Sequence, residues 1–143
     1  DTWLEVTTLL IPGENDSEEE VAALSEWMVA HLGPDVPLHL SAFHPAFKLT
    51  QPSPTPPETL SRARRQAIEV GLNYVYTGNV HDSHGGTTWC PDCGTCLIER
   101  DWYELGQWHL SEQGACLTCN HRLPGVFAGA PGTWGRKRLP IKI

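Results

Sequence analysis

The chain has no cysteine in its first 89 residues and a single methionine, Met28. It has no run of 18 or more apolar residues, so no stretch reads as a membrane-spanning helix. No glycine-rich phosphate loop, nucleophile elbow or HExxH occurs, which removes the commoner nucleotide-triphosphatase and hydrolase readings. Basic residues are scarce, with 10 Lys and Arg against 17 Asp and Glu. Residues 1–87 carry 4 basic and 12 acidic side chains, and residues 88–143 carry 6 and 5, so the two parts stand at −8 and +1. That balance opposes general nucleic-acid binding, which rests on phosphate neutralisation by Lys and Arg. The basic run Arg136-Lys137-Arg138 reads as a solvated tail. These absences fit a soluble cytoplasmic protein.

What the chain does have is five cysteines between positions 90 and 119. Four form two CxxC pairs, Cys90/Cys93 and Cys116/Cys119, with 22 residues between the pairs. Thiolates two residues apart face one cation from a single reverse turn, and two such turns complete a tetrahedral shell of four sulfurs around zinc. Iron in the same shell is an alternative. In Cys90-Pro91-Asp92-Cys93-Gly94, proline pre-sets the turn and glycine lets the backbone pass the second sulfur. In Cys116-Leu117-Thr118-Cys119-Asn120 the glycine position holds asparagine, which also tolerates positive φ.

Between the pairs, Leu97-Ile98-Glu99-Arg100 and Gln107-Trp108-His109-Leu110 flank a turn-prone middle, the pattern of a small hairpin carrying both knuckles. Disulfides are the competing reading, but the cysteines share one third of the chain and no signal-like segment precedes them. Cys96 extends the first pair to CxxCxxC, the start of a ferredoxin-type cluster site. The next position of that pattern is Arg100, so Cys96 reads as a thiol beside the metal site. His81 and His84, in a Gly/Ser/Asp-rich loop, are reserve ligands. Trp89, Trp102, Trp108 and Trp134 read as packing a ribbon against its host rather than stacking on bases.

Ahead of the ribbon, strand and helix alternate. Trp3 to Ile11 is an expected strand ending at Pro12-Gly13, and Ser17 with Glu20 has capping-box spacing. Val21, Leu24, Trp27, Met28 and Leu32 follow at helical spacing as far as Gly33-Pro34. Val36 to Phe43 is a second expected strand. Thr55-Pro56-Pro57-Glu58 opens a second helix by the same capping logic, with Leu60, Ala63, Ala67 and Ile68 on its buried face. Tyr74-Val75-Tyr76 is a third short strand. This order predicts a parallel sheet whose strand C-termini share one edge, where such sheets bind ligands. His44, directly after the second strand, stands at that edge, with Thr77 and Asn79 after the third; His39, alternating with Leu38 and Leu40, reads as structural. Three strands and two helices with no initiating methionine read as the C-terminal part of a longer protein.

Four segments carry a resemblance: Glu5 through Ser17, Leu38 through Leu49, Tyr74 through Val80, and Cys90-Pro91-Asp92-Cys93-Gly94 with Leu97-Ile98-Glu99-Arg100. In this colinear order the chain resembles the C-terminal half of the AmmeMemoRadiSam-system radical SAM enzymes, often labelled pyruvate formate-lyase activating enzyme-like. The resemblance implies a partial (β/α) barrel over residues 1–80, and the cysteine spacing a zinc-ribbon or rubredoxin-like module over 81–127 ahead of a tail over 128–143. The resemblance also implies a [4Fe–4S] cluster and S-adenosylmethionine, cleaved reductively to a 5′-deoxyadenosyl radical. The family's CxxxCxxC lies in the N-terminal half and is absent here, so the chain alone is expected to be inactive. His44 matches the histidine that glycyl-radical activating enzymes place near the cofactor's methionyl end, while Pro12, Gly13 and Asp16 match a turn that shapes the rim. The expected partners are that N-terminal half and a protein or small-molecule substrate. Two other readings stand beside it: a metal-stabilised protein-binding module, and a zinc-ribbon nucleic-acid binder.

Overall fold

A computed structural model describes residues 2–127, 129, 131 and 132. Most of the tail, with Trp134 and Arg136-Lys137-Arg138, lies outside the described residues. The chain divides into two units, one ending at Gly86 and one beginning at Thr87. The division falls a few residues beyond residue 80 because Asp82 fastens the intervening loop to the first unit. Its carboxylate accepts from Thr77 Oγ1 at 2.9 Å and from the Gly85 backbone N–H at 2.9 Å. A Cβ at Gly85 would lie 2.0 Å from Thr77 Oγ1, so only glycine fits there.

The first unit comprises β1 (Val6–Leu10), α1 (Glu18–His31), β2 (Leu38–Ala42), α2 (Pro57–Val70), β3 (Val75–Gly78) and the short α3 (Ser83–Gly86). The strands form a parallel sheet in the order β1-β2-β3. Helix α1 begins as its sequence dictates: Ser17 Oγ accepts from the Glu20 backbone N–H, and three glutamates fill the first turn at the positive helix end. At the other end the N–H groups of Leu32 and Gly33 both reach the Met28 carbonyl, and Gly33 takes φ 91°.

Helix α2 departs from the capping logic. Pro56 stands at the N-cap and makes no side-chain capping bond. Thr55 is instead buried, its Oγ1 donating to the Leu10 carbonyl at 2.6 Å and accepting from the Phe43 N–H at 2.9 Å. The residue read as a helix cap is a staple between the ends of β1 and β2.

The core lies on one face of the sheet. Leu38, Leu40, Ala42 and Val75 are buried with Val21 and Met28 of α1 and Leu60, Ala63 and Ala67 of α2. Each fully buried aliphatic side chain contributes about 1.5–3 kcal/mol relative to exposure. Two residues assigned to buried helix faces lie outside: Ile68 is exposed, and Trp27 stacks on His31 at the surface, ring centroids 4.8 Å apart. The alternate residues Thr7, His39 and Tyr76 stand in register on the opposite face, followed by Leu9, Ser41 and Gly78. None of these six is buried except in part.

The second unit is an antiparallel sheet of β4 (Thr88–Trp89), β5 (Cys96–Asp101) and β6 (Glu104–Trp108), in that order. The β5–β6 hairpin follows the pattern expected around the knuckles. Its buried apolar side chains are Leu97, Ile98, Leu110 and Leu123, joined by Cys90 and Cys116. Phe127 lies against Gly114, where a Cβ would come within 2.1 Å of its ring.

Candidate metal centre

Two chain segments build the site with the same backbone device. In the first, the Cys90 N–H donates to the Thr95 carbonyl at 2.9 Å and the Gly94 N–H returns to the Cys90 carbonyl at 2.9 Å. In the second, the Cys116 N–H donates to His121 O at 2.8 Å and the Asn120 N–H returns to Cys116 O at 2.9 Å. The residue after each second cysteine takes positive φ, 70° at Gly94 and 67° at Asn120. Asparagine therefore performs the turn that glycine performs in the first knuckle, as its tolerance of the left-handed region allows.

The knuckles bring four sulfurs together. The Sγ atoms of Cys90, Cys93, Cys116 and Cys119 all lie within 4.8 Å of one another. Cys90 and Cys119 are 3.5 Å apart, and Cys93 and Cys116 3.8 Å. A tetrahedral shell with bonds of about 2.3 Å sets its sulfurs about 3.8 Å apart, so the cage fits one ion of that kind. None of the five cysteines is in a disulfide. A [4Fe–4S] cluster, with its irons and sulfides between the ligands, needs a wider cage, and these residues do not fit it.

Cys96 stays apart from the cage. It starts β5, opposite Trp89, and burial followed by the charge of Glu99 raises its pKa, so it is a poor thiolate. His81 and His84 are likewise not part of the sulfur group.

The four thiols titrate as a set, since each thiolate acts on the others. Burial pushes Cys90 up. The Thr95 hydroxyl, then its backbone N–H, hold Cys93 down to about 6. Burial acts upward on Cys116, but the N–H groups of Cys119 and Thr118 outweigh it and lower its pKa. For Cys119 the His121 N–H acts downward, while burial and the other three sulfurs push it up to about 12. A divalent cation is the group that relieves this mutual repulsion. Across the knuckles, His121 Nδ1 meets Asp92 Oδ2 at 2.9 Å, tying one turn to the other.

The first unit places His44 at the C-terminal edge of its sheet, exposed, with Nε2 3.0 Å from the Asn79 carbonyl. Asn79 in turn takes φ 59° and donates to Ala42 O at 2.9 Å, so β2 and β3 end in one linked structure. The rim residues shape the turn after β1. Asp16 accepts from the Gly13 N–H at 2.7 Å, and Gly13 takes φ 77°. Asn15 bridges the strand end, accepting from the Ile11 N–H and donating to Leu9 O. Thr77, a rim candidate by sequence, is buried and serves Asp82.

His39 has more chemistry around it than its place on a strand foretold. Its Nε2 lies 2.8 Å from Glu5 Oε2, and its ring stacks on Tyr76 with centroids 5.1 Å apart. The second Glu5 oxygen accepts from Trp3 Nε1 at 2.7 Å. A carboxylate held against one ring nitrogen orients the imidazole. The only sequence signal was the alternation of His39 with leucines, which places it on the face away from the core.

With this geometry in place, the comparisons with known proteins add one relative. The chain is similar to an uncharacterized protein of Methanocaldococcus jannaschii, 43% identical over 126 residues. The match covers 87% of this chain and 38% of the relative, so the chain spans well under half of that protein's length. No family model and no solved structure matches it. No helix among the described residues is long and apolar enough to cross a membrane.

Proposed function

We propose that the chain is the C-terminal portion of a radical SAM enzyme, its first unit supplying the last strands of a partial (β/α) barrel and its second unit closing around a structural zinc ion. The observation that carries the barrel reading is the one-sided sheet. Parallel sheets are ordinarily covered on both faces, yet here both long helices contribute to the core of one face, while the other presents Thr7, His39, Ser41 and Tyr76. In a closing barrel that second face is the interior, and the strand ends that carry His44 and Asn79 form its mouth.

Zinc is favoured in the ribbon because four thiolates in a closed tetrahedron, with no open position, form a structural site. Cys90, Cys93, Cys116 and Cys119 would hold it, and its role is to join two knuckles that bury few apolar side chains among the described residues. The residues for the family's [4Fe–4S] cluster are not on this chain. When bound elsewhere in such an enzyme, that cluster supplies the electron that cleaves S-adenosylmethionine. The part played by this chain is to present a mouth, with His44 as the contact to the cofactor's methionyl end.

The test uses the protein extended upstream to include a CxxxCxxC segment, with its cluster rebuilt anaerobically. Cluster-dependent formation of 5′-deoxyadenosine is expected, and His44→Ala should weaken S-adenosylmethionine binding while one zinc per chain is retained. Absence of any cluster-dependent cleavage overturns the reading. Unchanged cofactor affinity in His44→Ala removes that residue from the site.

A further inference from the structure

His44 is exposed, yet the chain restrains it from three sides. The residue before it, Phe43, is buried and has both backbone groups engaged by Thr55: its N–H donates to Thr55 Oγ1 and its carbonyl accepts from the Thr55 N–H, each at 2.9 Å. The residue after it is Pro45, whose ring disfavours the helical region for His44. The imidazole itself is held from the end of β3. Its Nε2 lies 3.0 Å from the Asn79 carbonyl, and Asn79 is tied back to the Ala42 carbonyl through its own side-chain amide at 2.9 Å. Asn79 offers that carbonyl from φ 59°, a conformation that asparagine tolerates better than most side chains do. Ordering an exposed side chain costs conformational entropy and buries little apolar surface in return. Restraint of this extent points to a ring whose orientation is used.

The same bond decides the chemistry of the ring. A carbonyl only accepts, so Nε2 carries a proton, and in the neutral imidazole Nδ1 is then an acceptor. Among the described residues no other hydrogen bond reaches His44, so Nδ1 remains for a ligand. We infer that Asn79 is a positioning residue that fixes His44 as an acceptor, and that His44 meets the amino group of the methionyl end of S-adenosylmethionine rather than its carboxylate. An ionised carboxylate has no proton to give Nδ1, whereas the amino group has N–H donors. The choice of ligand rests on the reading of this edge as the mouth of a cofactor barrel; the hold of Asn79 on the ring does not.

The hold on the ring is tested on the chain itself, by heteronuclear magnetic resonance of the histidine rings in alkaline buffer, where imidazoles are neutral. His44 is assigned as the signal that His44→Gln removes. The expected result is a protonated Nε2 whose hydrogen exchanges slowly, beside an unprotonated Nδ1. Asn79→Gly keeps the positive φ and the carbonyl and should preserve the slow exchange. Asn79→Val, whose branched Cβ is disfavoured in that conformation, should abolish it. A ring protonated on Nδ1, or equally slow exchange in Asn79→Val, overturns the inference and leaves the barrel reading standing. The ligand group is tested in the protein extended upstream, with its cluster rebuilt. Glutamine reaches the Asn79 carbonyl with an amide donor but has no acceptor in place of Nδ1. His44→Gln should therefore weaken S-adenosylmethionine binding by about tenfold, with the unfolding midpoint unchanged. The decarboxylated cofactor should show the same loss and the deaminated cofactor none. A loss that follows the carboxylate instead overturns the inference. If S-adenosylmethionine does not bind the extended protein at all, the barrel reading falls and the ligand assignment with it, and the spectrum of the chain tells the two failures apart.

Discussion

The two units each contain a three-stranded sheet, yet they are held by different forces. The first buries a contiguous aliphatic cluster running from Leu10 through Val75. Among the described residues the second buries Leu97, Ile98, Leu110 and Leu123 around two sulfurs, a small apolar set for so many turns. What the ribbon lacks in apolar area it has in ligands. Small domains without a sufficient core rely on a staple, and here the staple is a metal site rather than a disulfide.

The comparison breaks most visibly when the metal is removed. Structural zinc in such modules contributes on the order of 10–16 kcal/mol of apparent binding free energy at neutral pH. A strong chelator should therefore unfold the ribbon while the far-ultraviolet signal of α1 and α2 persists. Cys93→Ser should lose the metal, and Cys96→Ser, outside the cage, should keep it. The ligands must be deprotonated to bind, so affinity falls as pH falls; acid should release the ion with uptake of protons while the first unit is still folded. Elemental analysis and circular dichroism on the same samples decide it. Metal-free protein with an intact ribbon would remove the contrast between the units.

A smaller effect sharpens the other side of the comparison. Thr55→Val keeps the shape of the side chain but strands the Phe43 N–H and the Leu10 carbonyl, both of which Thr55 Oγ1 satisfies. An unsatisfied buried group costs about 1–3 kcal/mol, so denaturant unfolding of the first unit should shift by that order. The metal content and the ribbon should not change. An unshifted midpoint would mean that water or the backbone takes over both bonds.

Thr55 also marks where the sequence stops being legible. Thr-Pro-Pro-Glu carries every local sign of a helix start, and nothing within it reveals a bond to a carbonyl 45 residues away. The same holds for His39 and Glu5, which are 34 residues apart and meet only because β1 and β2 pair in parallel. Features closed within a turn were readable: the Ser17–Glu20 cap, the two knuckles and the left-handed Asn120 all follow from neighbouring residues. So did the parallel order of the strands, because alternation with helices constrains it. Trp27 and Ile68 were misplaced since helical spacing gives the direction of an apolar stripe but not its width.

The smallest effect tests whether the two knuckles are physically equivalent. Gly94 and Asn120 occupy matching positions at nearly the same φ, and each sends its N–H back to the first cysteine of its pair. Alanine at either site meets the left-handed penalty, about 1–2 kcal/mol for a residue with a Cβ and no local hydrogen-bonding side chain. Asparagine already bears part of that penalty, so Asn120→Ala should cost less than Gly94→Ala, and Asn120→Gly should be neutral or slightly stabilising. Space does not interfere at the first site, since nothing lies within 4 Å of a Cβ built on Gly94. Competition with a chelator of known affinity reads the differences as metal retention, about tenfold for each 1.4 kcal/mol. Retention ordered Asn120→Gly at or above wild type, then Asn120→Ala, then Gly94→Ala is the result that equivalent knuckles require. If Asn120→Gly weakens retention instead, the asparagine side chain contributes to the site beyond its backbone conformation, and the second knuckle is more than a copy of the first.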